Sequence, residues 1–164
     1  MTDQNTTQPT AKDQPAATTA ATPTTSPIAT IELEKGGIIR IQLFEKLAPK
    51  TVANFTTKAN TGFYDNLTFH RVEDWVVQGG DPLGNGTGGG DQATELSSQP
   101  FKIGAVGIAR GGNIEISNDS QFFIVKKDSD FLNNQYTNFG QVTEGLSVIE
   151  GLKIGDKIRR IRVQ

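Results

Sequence analysis

The chain has 164 residues, no cysteine, one histidine and a near-balanced formal charge of −2. That length holds one domain; the missing cysteines exclude disulfides, thiolate nucleophiles and Cys-based metal sites, and a single His excludes multi-histidine metal centres. The balanced charge gives no bulk attraction to nucleic acid or an anionic membrane, and no apolar run approaches the roughly 20 residues that span a bilayer.

Residues 1–27 are almost entirely Thr, Ala, Gln, Pro, Ser and Asp, and the first large aliphatic residue is Ile28. Such a segment cannot bury enough apolar surface to offset its ordering entropy, so it reads as a disordered tail or tether ahead of one domain over 28–164. The segment after Met1 has neither a basic n-region nor an apolar h-region, so no signal peptide is visible and the expected compartment is the cytoplasm. A Thr/Ala/Pro-rich start equally suits a periplasmic or envelope-tethered product in which Met1 replaces a removed export signal.

From Ile28 the pattern changes. Ala29, Ile31 and Leu33 alternate with Thr30, Glu32 and Glu34, Lys35-Gly36-Gly37 supplies a turn, and Ile39, Ile41 and Leu43 alternate again, which predicts a hairpin. Pro49 suits the first turn of a helix, Val52, Phe55 and Ala59 form one apolar face, and Gly62 is a stop. Strands are predicted at Thr68–Val72 and Trp75–Gln78, in the apolar runs Ile103–Ala109, Gln121–Val125 and Phe139–Val142, and at the closing Lys157–Val163. A short helix falls within Gly145–Leu152. Many short strands, glycine punctuation and two helices predict a mostly antiparallel barrel or sandwich.

Several motifs fail on their context. Gly84-Asn85-Gly86-Thr87-Gly88-Gly89 has the spacing of a dinucleotide fingerprint, but no apolar-periodic helix opens on it and its surroundings are β-rich. The glycines instead let backbone run close to another group. Lys157, Arg159, Arg160 and Arg162 read as the solvated face of a strand, so no nucleic-acid partner is expected. His70 has no Gly-x-Ser-x-Gly elbow to serve and reads as a hydrogen-bonded structural neighbour rather than a base.

Arg71 and Gln78 carry more information. On two strands lining one wall, Arg71 presents a fixed fork of donors, Gln78 a donor–acceptor pair, and Trp75 and Val76 an apolar floor between them. Phe122-Phe123, Phe131-Leu132 and Tyr136 supply the aromatic surface to complete a pocket.

These residues resemble the cyclophilin family of peptidyl-prolyl cis–trans isomerases in its bacterial, single-domain form. The resemblance runs from about Ile28 to the C-terminus. It rests on Phe69-His70-Arg71-Val72, Gln78-Gly79-Gly80-Asp81-Pro82, Gly86-Thr87-Gly88-Gly89, Ser120-Gln121-Phe122-Phe123-Ile124, Phe131-Leu132 and Phe139-Gly140-Gln141-Val142, in the family's order. Leu47–Phe55 is similar to the family's first helix.

The resemblance implies a mainly β fold, an eight-stranded antiparallel closed β-barrel capped by two α-helices, with a groove on its outer face. It implies Arg71 as the catalytic arginine and Gln78 as the glutamine holding the substrate backbone. Trp75, Val76, Phe123 and Leu132 then line the proline pocket, Ala109 contacts the residue before proline, and His70, Arg110, Gln121, Phe131 and Tyr136 complete the binding surface. The implied reaction is rotation about X-Pro bonds in unfolded or flexible proteins, by a monomer, with no cofactor, metal or membrane span. The alternative is a proline-segment binding or chaperone module with little catalysis. The chain departs from the family in four places, two of which are Val76 in place of a longer side chain, which widens the pocket slightly, and an unusual loop at the groove, Arg110-Gly111-Gly112 with Asn113–Ser117. The Arg71–Gln78 segment is one residue short, with Glu73-Asp74-Trp75 where a Pro-Gly-Phe-type turn is common. Tyr136 replaces a frequent His, and Phe131 replaces the Trp of cyclosporin-sensitive members, which implies weakened cyclosporin binding through loss of an indole donor.

Overall fold

In the computed structural model, which describes residues 25–164, β1 (Ile28–Leu33) and β2 (Ile38–Leu43) form the expected hairpin. Gly36 and Gly37 take φ of 92° and 109°, a backbone that side chains resist, and so allow the turn between them. The alternation read from the sequence is realised: Ala29, Ile31, Leu33, Ile39, Ile41 and Leu43 are all buried. Ahead of β1, the Pro27 carbonyl accepts a hydrogen bond from Leu43 N at 2.8 Å. Of the tail expected over 1–27, residues 1–24 lie outside the described residues.

Helix α1 (Pro49–Asn60) buries Val52, Phe55 and Ala59, and Gly62 follows its end at φ 83°. Its N-terminal residue, Ala48, offers no capping side chain. The carboxylate of Glu95 does this from a distant segment, accepting Thr51 N at 2.7 Å, the Thr51 hydroxyl at 2.8 Å and Lys50 N at 3.3 Å. Orphan donors of the first turn are thereby satisfied by tertiary structure.

The remaining elements are β3 (Phe69–Val72), β4 (Val76–Gly79), β5 (Asp91–Ala93), β6 (Ala105–Arg110), β7 (Ile116–Val125), β8 (Asn138–Glu144), α2 (Leu146–Glu150) and β9 (Ile158–Val163), with a 3-10 turn at Asp130–Leu132. Eight strands run antiparallel in the order β3-β4-β7-β6-β8-β2-β1-β9, and β5 adds to β7. The fold is thus mainly β with two helices, as expected, but the expected closure is not: the path is open between β3 and β9. Those ends meet through the isolated bridge Thr68–Lys157 and the bonds around it rather than through a ladder. Asn66 (φ 67°) and Gly155 (φ 91°) turn the chain just before each strand, leaving no extended length to pair. No helix among the described residues is long and apolar enough to cross a membrane.

The curled sheet encloses an aromatic core. The Phe55 ring lies 5.2 Å from both Tyr64 and Phe139 and 5.8 Å from Phe122, with Phe69 also on Phe122. The buried Tyr64 hydroxyl donates to the Ser120 carbonyl, which satisfies its polar end. Strand β7 is buried on both faces over Ser120–Val125. Phe122 and Ile124 point into this core, while Phe123 and Val125 join a second, outer cluster with Val76, Phe101, Ala105 and Leu132.

Candidate active site

A β-bulge places the site's cation. Phe69 pairs with Gly79 and Arg71 with Gln78, so His70 is the extra residue on β3. Without it, Phe69 and Arg71 would share a face. With it, Phe69 is wholly buried in the inner core while Arg71 turns outward beside Gln78. Arg71 Nη1 donates to Gln78 Oε1 at 3.4 Å.

From there a polar relay crosses the sheet. Gln78 Nε2 donates to Gln121 Oε1 at 3.0 Å, and Gln121 Nε2 donates to the carbonyls of Gly86 and Gly88 at 3.1 and 2.8 Å. The two amides have one consistent orientation: Arg71 only donates and the carbonyls only accept, so both are fixed from their ends. The glycine loop is held in turn by Asp81, whose buried carboxylate accepts the backbone N–H groups of Leu83, Asn85 and Gly86. Burial pushes the Asp81 carboxyl up, but those donors and Gly88 outweigh it and hold it below the usual carboxylate range. The loop is thus an anchor for Gln121 and not a phosphate cradle.

Above the relay lies a cavity of about 240 Å³ lined by Arg71, Trp75, Val76, Gln78, Ala109, Arg110, Phe123, Leu132 and Tyr136. Phe123 stacks on Phe101 with centroids 5.7 Å apart and meets Tyr136 edge-on. The Arg110 guanidinium carbon sits 4.5 Å over the Tyr136 ring while its Nε donates to the Gln135 carbonyl, so Arg110 is fixed. Arg110, Ala109 and Gln78 also border a second recess of about 370 Å³ that continues over Gly86, Asp91, Asn113, Ser117, Asn118 and Gln121.

Nine of the twelve residues named from the sequence therefore surround one cavity, and Gln121 lies in the recess beside it. His70 and Phe131 line neither. Phe131 is 67% exposed and packs over Trp75 at 5.2 Å. His70 departs from the hydrogen-bonded role expected of it: its Nδ1 is buried with no partner. Burial pushes its pKa down, with Asp81 opposing and Arg71 adding, so the ring is neutral at pH 7.

Glu73 belongs to the site as well, though the sequence does not single it out. Its carboxylate accepts Arg71 Nε at 3.0 Å, Arg71 Nη2 at 3.2 Å and Trp75 Nε1 at 2.9 Å. The signal in the sequence is proximity: Glu73 lies two residues from both Arg71 and Trp75, in the tight turn between β3 and β4. Asp91 and Ser117 in the second recess carried no such signal.

The arrangement can bind a small apolar ring beside a fixed guanidinium, with amide donors and acceptors along one edge. Comparison with known proteins gives the family. The family model for cyclophilin-type peptidyl-prolyl cis-trans isomerases matches residues 28–163. The chain is 43% identical over 137 residues to peptidyl-prolyl cis-trans isomerase B of Bacillus subtilis, covering 80% of this chain and 94% of that one. It is 42% identical over 140 residues to a peptidyl-prolyl cis-trans isomerase of Helicobacter pylori, covering 81% and 84%. A cyclophilin-type isomerase of Cryptosporidium parvum, crystallised in the presence of the dipeptide Ala-Pro, superposes with a TM-score of 0.75 at 27% identity, covering 84% of this chain and 98% of that one.

Proposed function

The chain belongs to the cyclophilin-type peptidyl-prolyl cis-trans isomerases, and from that premise we propose that its outer cavity takes the proline ring of an X-Pro substrate while Arg71 stabilises the twisted amide. Rotation about the X-Pro bond must break amide resonance, a barrier of about 18–20 kcal/mol. Midway, the prolyl nitrogen recovers a lone pair and the carbonyl loses its conjugation. A guanidinium aimed at that nitrogen favours the twisted form over either planar one, and only such a difference accelerates the reaction. Arg serves because it stays charged and presents a rigid fork.

The other residues divide the work. Phe123, Val76, Leu132 and Trp75 hold the ring against the cavity floor while the preceding carbonyl swings. Gln78, its amide oriented by Arg71 and Gln121, holds the substrate backbone on the far side, and Ala109 with Arg110 borders the residue before proline. Neither proton transfer nor a covalent intermediate enters the step. Proline-containing segments of unfolded or flexible proteins are the substrate class this geometry fits.

The observation that carries the reading is Arg71 joined to Gln78 at the rim of an aromatic-floored cavity. A protease-coupled assay on an Ala-Pro peptide tests it. Arg71→Ala is expected to lower kcat/KM roughly 100-fold or more, the scale of losing one preorganised donor. Equal rates in the two proteins would overturn the mechanism. A wild type that binds the peptide, seen through the fluorescence of its single Trp, without speeding rotation would make the groove a holding module instead.

A further inference from the structure

We propose that Glu73 is a positioning residue of this isomerase: its carboxylate locks the Arg71 guanidinium and the Trp75 wall of the cavity into one working arrangement. The inference rests on the role of Arg71 given above. It starts from the place where the chain is one residue short. The β3–β4 connection closes on itself through Glu73 N to Val76 O at 2.8 Å, and the side chains of Arg71 and Trp75 meet at the Glu73 carboxylate.

One carboxylate holds two different parts of the site. Arg71 Nε and Nη2 meet it side-on at 3.0 and 3.2 Å, and the Trp75 indole N–H at 2.9 Å. Arg71 has five N–H donors. Glu73 takes two and Gln78 one, which leaves a hydrogen on each terminal nitrogen for a substrate. The clamp therefore grips the rear edge of the guanidinium and leaves its tip available. Held at both ends, Arg71 does not have to be ordered afresh in each transition state.

Trp75 is fixed by the same contact. Phe131 packs over its ring at 5.2 Å, and the Arg71 guanidinium carbon lies 5.6 Å from it. The charged groups around Glu73 are Arg71 from β3 and Asp74 beside it; Lys126 and Lys127 at the end of β7 act on Asp74, and Asp130 beside Phe131 is paired with Lys102. The Arg71 hydrogen bond holds the Glu73 carboxyl below its ordinary range, so the clamp is charged and closed at neutral pH.

Steady-state kinetics on an Ala-Pro peptide with the full chain and its E73Q, E73D, D74N and R71A variants test the proposal. E73Q puts an amide N–H against donors and is expected to lower kcat roughly tenfold, with KM within about twofold. E73D keeps the charge, reaches only part of the clamp and falls in between. D74N removes a neighbouring carboxylate already paired with Lys127 and leaves both constants unchanged. Trp75 emission shifts in E73Q but not in D74N. On acidification, wild type and D74N show an emission step below the usual glutamate range, which E73Q lacks. A kcat in E73Q equal to or above wild type would overturn the proposal, making Glu73 idle or a competitor. So would E73D matching wild type, or D74N matching E73Q, since either makes net charge the cause. An R71A protein as fast as wild type would instead overturn the Arg71 mechanism.

Discussion

Phe123 lies flat on the cavity floor because its partner across the β6–β7 ladder is Gly107. A Cβ at position 107 would overlap the Cζ end of the Phe123 ring, with Cε1 and Cε2 both at 2.8 Å. Gly107→Ala must therefore push the ring into the cavity that Arg71, Trp75 and Leu132 also line. Expected are a loss of about 1–3 kcal/mol of stability, as for other overpacked interiors, and a kcat/KM lower by roughly tenfold or more through displacement of the floor. Denaturant unfolding and the protease-coupled assay measure the two; a stable variant with unchanged KM and kcat would refute this account of the floor. At this scale much of the site was legible. Arg71 and Gln78 bracket an apolar run, and a polar pair around a floor is a recognisable composition. The His70 bulge was not legible, because it is set by how β3 pairs with β4 and nothing in the local residue order announces an unpaired position. Glu73 was visible only as a charged residue of the turn beside Arg71, and its meaning depends on two side chains turning toward it.

Among the elements, α1 depends most on a residue far away in sequence. Its N-terminal position, Ala48, caps nothing, and Glu95 supplies the acceptor; Glu95 N is itself bound by the Thr137 hydroxyl at 2.8 Å. Glu95→Ala should cost about 0.5–2 kcal/mol, the range for losing a helix cap, and Glu95→Gln less, since the amide oxygen still accepts Thr51 N. A urea midpoint equal to wild type in both would show the contact to be energetically idle. Apolar patterning decided which elements could be foreseen. The β1–β2 hairpin and α1 carry a clear period, β3, β4, β6, β8, α2 and β9 only short apolar or mixed runs, and all fall within a few residues of expectation. Strand β5 and the first half of β7, Ile116–Ser120, do not. They pair with each other through Asp91–Asn118 and Gln92–Ser117, so their strand character comes from the partner and not from their own residues.

The whole molecule is an open curl held at its seam by few groups. Besides the Thr68–Lys157 bridge, Phe69 N donates to Asp156 O at 2.9 Å, Gly155 N to Phe69 O at 2.9 Å and Ile158 N to Leu67 O at 2.8 Å. The family resemblance implies a closed ladder here, and the turns at Asn66 and Gly155 prevent one. Asp156 organises the seam: its carboxylate accepts the Lys153 N–H at 2.8 Å and pairs with Lys35, which also donates to the Gly151 carbonyl. Burial pushes the Asp156 carboxyl up, but Lys35 and the Lys153 amide outweigh it, and its pKa lies below the ordinary aspartate value. A carboxyl depressed by folding contributes stability above its unfolded pKa, near 3.9. That contribution fades as pH falls through the folded value, where both states are protonated. Asp156→Asn should therefore lower Tm at pH 7 by roughly 2–4 °C, and the gap to wild type should close as pH drops below about 4. Amide exchange at Phe69 and Ile158 should quicken in the same variant while the Ile31–Ile39 hairpin stays protected, because the seam opens before the sheet does. A Tm gap constant from pH 7 to pH 3 would mean that Asp156 acts through packing rather than charge. Such an opening would begin beside the bulge that aims Arg71, since Phe69 both closes the seam and precedes His70.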